Sequence, residues 1–352
     1  MSSATRRAAH TDLATSLALL SDHELADLVA SGTPVGVGIG GRSALVEVDG
    51  RPVFVKRVPL TDLERLPENV RSTANFFELP LSCHYGTGRG PGFGAWRELA
   101  VHTMTTNWVL ADRFPGFPLM HHWRVLPDAV QPLPEELADV EGVVAHWGGA
   151  ARVRERIEAQ RTASASLTLF LEYFPHTLHD WLDAQVRGDD ADRVCTRVDE
   201  WLGTLTAFLR DNRLLHFDVH FHNVLTDGEE FHLADYGLAF SSRFRLARQE
   251  RAFFDRHRDY DLVYSRAHLV NWLATALYGY DRQEREAFVR ACAIGAHADG
   301  VPEAAAEIIA RDAPLTAVFN GFFARLRQES RRTPYPFEEL HLAYNSSPFS
   351  AR

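Results

Sequence analysis

Apolar residues recur along this chain with two different periods, and the switch between them divides it. Leu25, Leu28 and Val29 follow helical spacing between a capping box at Ser21 and Glu24 and a terminating Gly32, which predicts a helical extension over residues 1–32 with a packing role. From Thr33 the period becomes two: Val35 to Gly38, Ala44 to Val48 and Val53-Phe54-Val55-Lys56 read as strands, the last two joined by the hairpin signal Asp49-Gly50. A small antiparallel sheet is expected. After a Pro- and Gly-punctuated stretch from Pro59 to Gly94, Trp96, Leu99, Val109 and Leu110 predict a helix from Ala95 to about Leu110, and Leu119 to Val125 reads as a further strand.

Residues 127–160, acidic and Arg-rich, read as a helical insertion to which no function attaches. The apolar strand Leu167 to Leu171 leads through Glu172-Tyr173-Phe174-Pro175 to a helix opened by a second capping box, Thr177 with Asp180. Val194, Val198, Trp201, Leu202, Leu205, Phe208 and Leu209 then define a buried amphipathic helix, and the chain to about Leu326 reads as mostly helical. The tail after Arg331 carries no clear period. The division expected is therefore 1–32, 33–172, 173–330 and 331–352, in the α+β class.

With 45% hydrophobic residues in 352, the chain has ample material for a core. No run approaches the ~20 apolar residues of a membrane span. Met1 to Leu20 contains Arg6 and Arg7 but no uninterrupted apolar stretch behind them, so a soluble, cytoplasmic protein without a membrane partner is expected. Cys83, Cys195 and Cys292 are far apart and lack CxxC spacing, which predicts core thiols. A net charge of -10 argues against a nucleic-acid partner and tolerates a cationic substrate. Of the 37 basic side chains 36 are Arg, and Lys56 is the one lysine. A compact ammonium on a flexible stem reaches between phosphates where a planar guanidinium fork does not, so this residue draws attention.

Its surroundings reinforce the point. Gly36, Gly38 and Gly41 satisfy GxGxxG, a pattern that brings backbone amides close to phosphates, and a strand rather than a helix is expected after it. Lys56 ends the third strand beneath this flap, and Glu98, in the following helix, is the expected partner of its charge in preference to Glu64 or Glu78. Further on, His216-Phe217-Asp218-Val219-His220-Phe221-His222-Asn223 precedes Asp235-Tyr236-Gly237 by a short hairpin built on Asp227-Gly228. A strand through the first segment would instead aim His216, Asp218, His220 and His222 to one face, the rival pattern of a metallohydrolase.

His216, Asp218 and Asn223 match HxDxxxxN and Asp235-Tyr236-Gly237 matches DFG with an aromatic exchange; the chain from about Val35 to Asp261 thus resembles the protein-kinase-like superfamily. The resemblance implies a two-lobed fold, with a small antiparallel-sheet N-lobe and a mainly helical C-lobe meeting near Glu172. It implies ATP or GTP with Mg²⁺ as cofactors. Gly36, Gly38, Gly41, Lys56, Glu98, Glu172 and Phe174 would serve nucleotide binding, and Asn223 and Asp235 the metal. Asp218 would be the catalytic base and His216 a brace for its loop, with Asp261 or Asp259 supporting that loop from a helix. His220, two positions after the base, is similar to aminoglycoside phosphotransferases, and residues 238–260 lack Ala-Pro-Glu, so a hydroxyl of a small molecule, such as an aminoglycoside or nucleoside antibiotic or a metabolite, is the expected acceptor. Leu233 to Ala239 is closer to Ser/Thr protein kinases, which stand as one alternative; a catalytically silent nucleotide-binding scaffold is another.

Overall fold

The computed structural model describes residues 3–345 as an α+β chain with one five-stranded antiparallel sheet and a mostly helical remainder. Residues 1–2 of the expected extension and 346–352 of the expected tail lie outside the described residues. Among those described, no helix is long and apolar enough to cross a membrane. Two compact units form, one from the chain up to Pro175 with Leu225–Arg256, the other from His176–Val224 with the chain from His257 onward.

In the first unit, α1 (Ser3–Leu19) and α2 (Asp22–Ser31) precede β1 (Thr33–Gly38), β2 (Gly41–Val48) and β3 (Arg51–Leu60). The expected capping box is present: Ser21 Oγ accepts from Glu24 N, and the Glu24 carboxylate takes the Ser21 N–H at 2.8 Å. The Asp49-Gly50 turn has both residues at positive φ, 51° and 71°, as a two-residue hairpin requires. A single turn, α3 (Asp62–Arg65), leads to α4 (Ala95–Leu110), β4 (Met120–Pro127), the insertion helices α5 (Glu135–Ala138), α6 (Val140–His146) and α7 (Ala151–Arg161), and β5 (Ala165–Glu172). The sheet order is β1-β2-β3-β5-β4.

Strand alternation assigns each face of the sheet a partner. Val53, Val55 and Phe170 point to a core shared with Leu13 and Leu17 of α1 and Leu25 and Val29 of α2. Phe54, Val58, Leu169 and Leu171 point to Trp96 and Leu99 of α4. Full burial of each such side chain is worth about 1.5–3 kcal/mol, so a one-residue slip of β3 would forfeit both cores. The insertion makes its own core, with Val143, Trp147, Val153 and Ile157 against Leu79, Cys83 and Phe93.

The second unit begins with α8 (Leu178–Gln185) and α9 (Ala191–Asp211), the latter burying Val194, Val198, Leu202, Leu205 and Leu209. At the start of α8 the structure corrects the expected capping box. Thr177 Oγ1 accepts from Asp180 N, but the Asp180 carboxylate returns to the Thr177 hydroxyl at 2.8 Å, because aspartate is one methylene shorter than the glutamate that reaches the backbone N–H. The chain re-enters the first unit for α10 (Arg248–Arg256) and ends in the second with α11 (Tyr260–Tyr278), α12 (Arg282–Ala293), α13 (Glu303–Gln328) and α14 (Phe337–Asn345). α14 lies in the tail read as aperiodic; it is short, and Leu340 is its one fully buried apolar residue, which leaves too little pattern to detect.

Candidate functional site

The period of β3 that turns Val53 and Val55 toward α1 and α2 turns Lys56 the other way, onto the α4 face. There its Nζ lies 2.7 Å from Glu98 Oε1 and 2.9 Å from Asp235 Oδ1. Lys56 is 12% exposed and Glu98 3%, so that ion pair is shielded from water, while Asp235, at 45%, opens to solvent. Burial alone would lower the ammonium pKa, but the carboxylates of Asp235 and Glu98 outweigh it and hold the group above its ordinary value, charged at any physiological pH. Glu64 and Glu78, the residues passed over, are engaged elsewhere. Buried Glu64 binds Arg156 at 2.8 Å and caps α4 through Ala95 N at 2.9 Å, and exposed Glu78 pairs with Arg152.

A strand follows the glycines, and the run arches over this charge cluster. A Cβ on Gly40 would stand 3.1 Å from Lys56 Nζ, and one on Gly41, at φ +119°, would stand 2.2 Å from the Arg57 carbonyl oxygen. Gly41 therefore needs glycine for the protein's own packing, while at Gly40 the tip of the Lys56 side chain would have to give by a few tenths of an ångström. Gly38 has nothing within 4 Å and Gly36 only Ser43 Oγ at 3.7 Å, so folding itself makes no such demand there. Bare backbone at those two positions suits close approach of an outside group.

Asp235 holds a left-handed φ of 60°, a conformation a non-glycine residue adopts only when its surroundings impose it. Gly237 N donates to Asp235 Oδ1 at 3.3 Å, and Tyr236, fully buried, anchors its hydroxyl on the Leu233 carbonyl at 2.8 Å. Glu172 closes β5 with its carboxylate held by Arg6, and the Phe174 ring stacks on His232 at 4.1 Å. Any nucleotide contact from Glu172 therefore falls to its main chain.

One residue before Glu98, Arg97 is enclosed by the rings of Phe93, Phe240 and Phe244, with its guanidinium 5.3–5.5 Å from each centroid. It donates to Glu250 Oε1 of α10 at 2.6 Å and to the Thr73 carbonyl at 2.9 Å. Both partners of this pair are almost completely buried, so removing one strands a charge in an apolar box. Arg97→Ala should lower unfolding free energy by about 3–5 kcal/mol, read by denaturant titration.

In the second unit, Asp261 in the first turn of α11 accepts the N–H groups of His216 at 2.7 Å and Phe217 at 2.8 Å. Asp259, the other candidate for this support, is exposed and 3.7 Å from Arg210. Phe217 is held at φ 66°, with its ring 4.5 Å from that of Tyr260. The fully buried His216 accepts the Asp218 N–H on Nδ1 at 3.2 Å. The Asp218 carboxylate meets Asn223 Nδ2 at 3.2 Å, Tyr264 Oη at 3.4 Å and His220 Nε2 at 3.5 Å. Burial lifts the Tyr264 phenol well above its usual range, with Asp218 adding to the effect, so it remains a donor.

The backbone bonds His220 N to Asp218 O and Asn223 N to His220 O, both 2.9 Å, are turn bonds. The segment is not a strand, and among the described residues no group of three or more His, Cys, Asp or Glu side chains is placed to hold a metal ion. Asn223 and Asp235 belong to different units. The Asn223 amide nitrogen is engaged by the Asp218 carbonyl and carboxylate, which leaves its oxygen as the atom a cation would meet in the second unit; in the first, the Asp235 carboxylate is by itself a hard oxygen donor of the kind Mg²⁺ prefers.

The structure thus brings together Lys56, Glu98 and Asp235 in one unit and His216, Asp218 and Asn223 in the other. Sequence reasoning missed Gly40, Arg97, Glu250 and Tyr264; of these only Gly40, inside the glycine run, carried a local signal. Comparison with protein-family models and with curated proteins finds no match for this chain.

Proposed function

We propose that the protein is a phosphotransferase of protein-kinase-like fold that uses ATP or GTP with Mg²⁺ to phosphorylate a hydroxyl of a small molecule. The observation that carries this reading is the position of the single lysine, an ammonium between Glu98 and Asp235 under a glycine run whose Gly36 and Gly38 are bare without internal need. Phosphoryl transfer asks for neutralised phosphate charge, a positioned hydroxyl and somewhere for its proton to go. Lys56 binds phosphate oxygens, kept charged and correctly aimed by Glu98. The Asn223 side-chain oxygen and the Asp235 carboxylate would each be a donor to Mg²⁺, which when bound would screen the triphosphate's charge. Asp218 orients the acceptor hydroxyl and takes its proton, while Asn223, Tyr264 and His216 fix the carboxylate and its loop. A small-molecule acceptor is favoured by His220 beside Asp218 and by the lack of Ala-Pro-Glu after Gly237.

The test is incubation with ATP or GTP, Mg²⁺ and a panel of aminoglycosides, nucleoside antibiotics and metabolites, followed by mass spectrometry for added phosphate. Phosphate on a generic protein substrate alone would move the assignment to protein kinase. A nucleotide-dependent rise in melting temperature without any transfer would reduce it to a binding scaffold, and no response to nucleotide at all would end it. Lys56→Met should lower kcat by about 10²- to 10³-fold, the cost of removing one charge-stabilising group from a reacting phosphate.

A further inference from the structure

We propose that Arg6 is a positioning residue for nucleotide binding, making helix α1 a working part of the nucleotide site; this rests on the phosphotransferase reading. Helix α1 is already anchored by Leu13 and Leu17, both buried in the sheet core, so adhesion does not require a charged residue beneath it. Yet Arg6 is only 7% exposed. Its Nε donates to Glu172 Oε1 at 2.7 Å and Oε2 at 3.0 Å, one terminal nitrogen to Glu172 Oε2 at 2.6 Å and to the Phe117 carbonyl, and the other to the Pro115 carbonyl at 2.8 Å. The guanidinium also lies 6.0 Å from the centroid of the Phe174 ring.

These contacts converge on Glu172 to Phe174. Glu172 Oε2 accepts Leu119 N at 2.9 Å and Glu172 N donates to Leu119 O at 2.8 Å, so the end of β5 is tied on both sides to the segment that Arg6 also grips at residues 115 and 117. His232, stacked on Phe174, meets the Pro115 carbonyl at 3.2 Å and closes the circuit. A planar guanidinium with five donors in a rigid fork holds several acceptors in one fixed geometry, which the compact, rotating ammonium of lysine does not impose. On the phosphotransferase reading, the main chain of Glu172 to Phe174 receives the base, and recognition by backbone groups depends on their unchanging placement. Arg6 supplies that placement without touching the nucleotide.

The experiment measures the MgATP dissociation constant by calorimetry, and KM and kcat of basal ATP hydrolysis, in the full chain. Arg6→Met and Glu172→Gln should each raise the dissociation constant and KM about tenfold, with kcat within about twofold, a tenfold change corresponding to about 1.4 kcal/mol. The double variant should be no weaker than the worse single one, since both remove one interaction. Arg7→Ala, on the same helix as Arg6, loses only a surface pair with Asp112 and should bind as the wild type does. A folded Arg6→Met with unchanged MgATP affinity, or one that loses kcat at constant KM, overturns the inference and leaves the phosphotransferase reading standing. If Arg6→Met does not fold, Glu172→Gln, which keeps an acceptor oxygen, decides by the same criteria. A wild type that binds no MgATP removes both.

Discussion

Asp218→Ala should lower phosphoryl transfer by about 10²- to 10⁴-fold, the usual contribution of a positioned proton acceptor, while MgATP affinity stays within about threefold. The two effects separate because the groups involved keep their main supports: Asn223, which loses the Asp218 carboxylate, retains its bond to the Asp218 carbonyl at 3.0 Å. The loop around Asp218 is held by Asp261 through the N–H groups of His216 and Phe217, contacts that truncating Asp218 leaves in place. Lys56, Glu98 and Asp235, assigned to the phosphates and metal, are bound to one another within the other unit. Asp218→Asn is the sharper form of the same experiment: it preserves shape and an acceptor for the Tyr264 hydroxyl but lacks basicity, and should fail in transfer to a similar degree. Steady-state transfer and calorimetric titration on each variant check the prediction, and wild-type turnover in either would discard Asp218 as the base.

Three buried histidines of the first unit should together cost about 6 kcal/mol of stability between pH 7 and pH 5. His102, His121 and His232, all in the first unit, are each pulled down to about 3, in every case chiefly by burial. The charge of Lys56 adds to the effect at His102, that of His10 and Arg6 at His121, and that of Arg6 at His232. Their unfolded-state value is ordinary, near 6.5, so between about 3 and 6.5 the unfolded chain binds more protons than the folded one. The stability linked to these neutral imidazoles is complete above 6.5 and is lost as pH falls. At pH 5 each has lost about 2 kcal/mol, and three together consume a large part of the 5–15 kcal/mol typical of a domain. Denaturant titrations at the two pH values measure the slope.

His102→Phe isolates one contributor. Neither ring nitrogen of His102 has a hydrogen-bond partner among the described residues, and the ring packs edge-on to Tyr236 at 4.6 Å, so phenylalanine replaces it without orphaning a polar group. The variant should match or exceed the wild type at pH 7 and flatten the loss at pH 5 by about 2 kcal/mol. An unchanged slope would mean that His102 titrates normally in the folded protein.

What could be read from the residues alone follows the range of the interactions involved. The three N-terminal strands, the Asp49-Gly50 turn, the Ser21 cap and the span of α4 were legible because each is set by neighbours within a turn or a pleat. The pairing of Lys56 with Glu98 was accessible because Glu98 lies in the helix that follows, and Asp235 came with its motif; Lys56 itself does not end its strand as expected but sits inside β3, which continues to Leu60 because Val58 and Leu60 extend the same apolar alternation. Arg6 was visible only as one of two charges with no uninterrupted apolar stretch behind them; its partner Glu172 is 166 positions away, and no local pattern marks the two as a pair. The same holds for Arg97 and Glu250, 153 apart. The cap at Thr177 was located correctly and misjudged in detail because the signature does not weigh side-chain reach.

A chain with 36 arginines and one lysine carries a built-in reporter. Isotope labelling through lysine would place a single side-chain ammonium in the nitrogen spectrum, and that resonance belongs to the group clasped by Glu98 and Asp235. Its proton-exchange rate and chemical shift would register any loosening of that clasp directly, in solution and without a mutation, as nucleotide, metal or acceptor is titrated in.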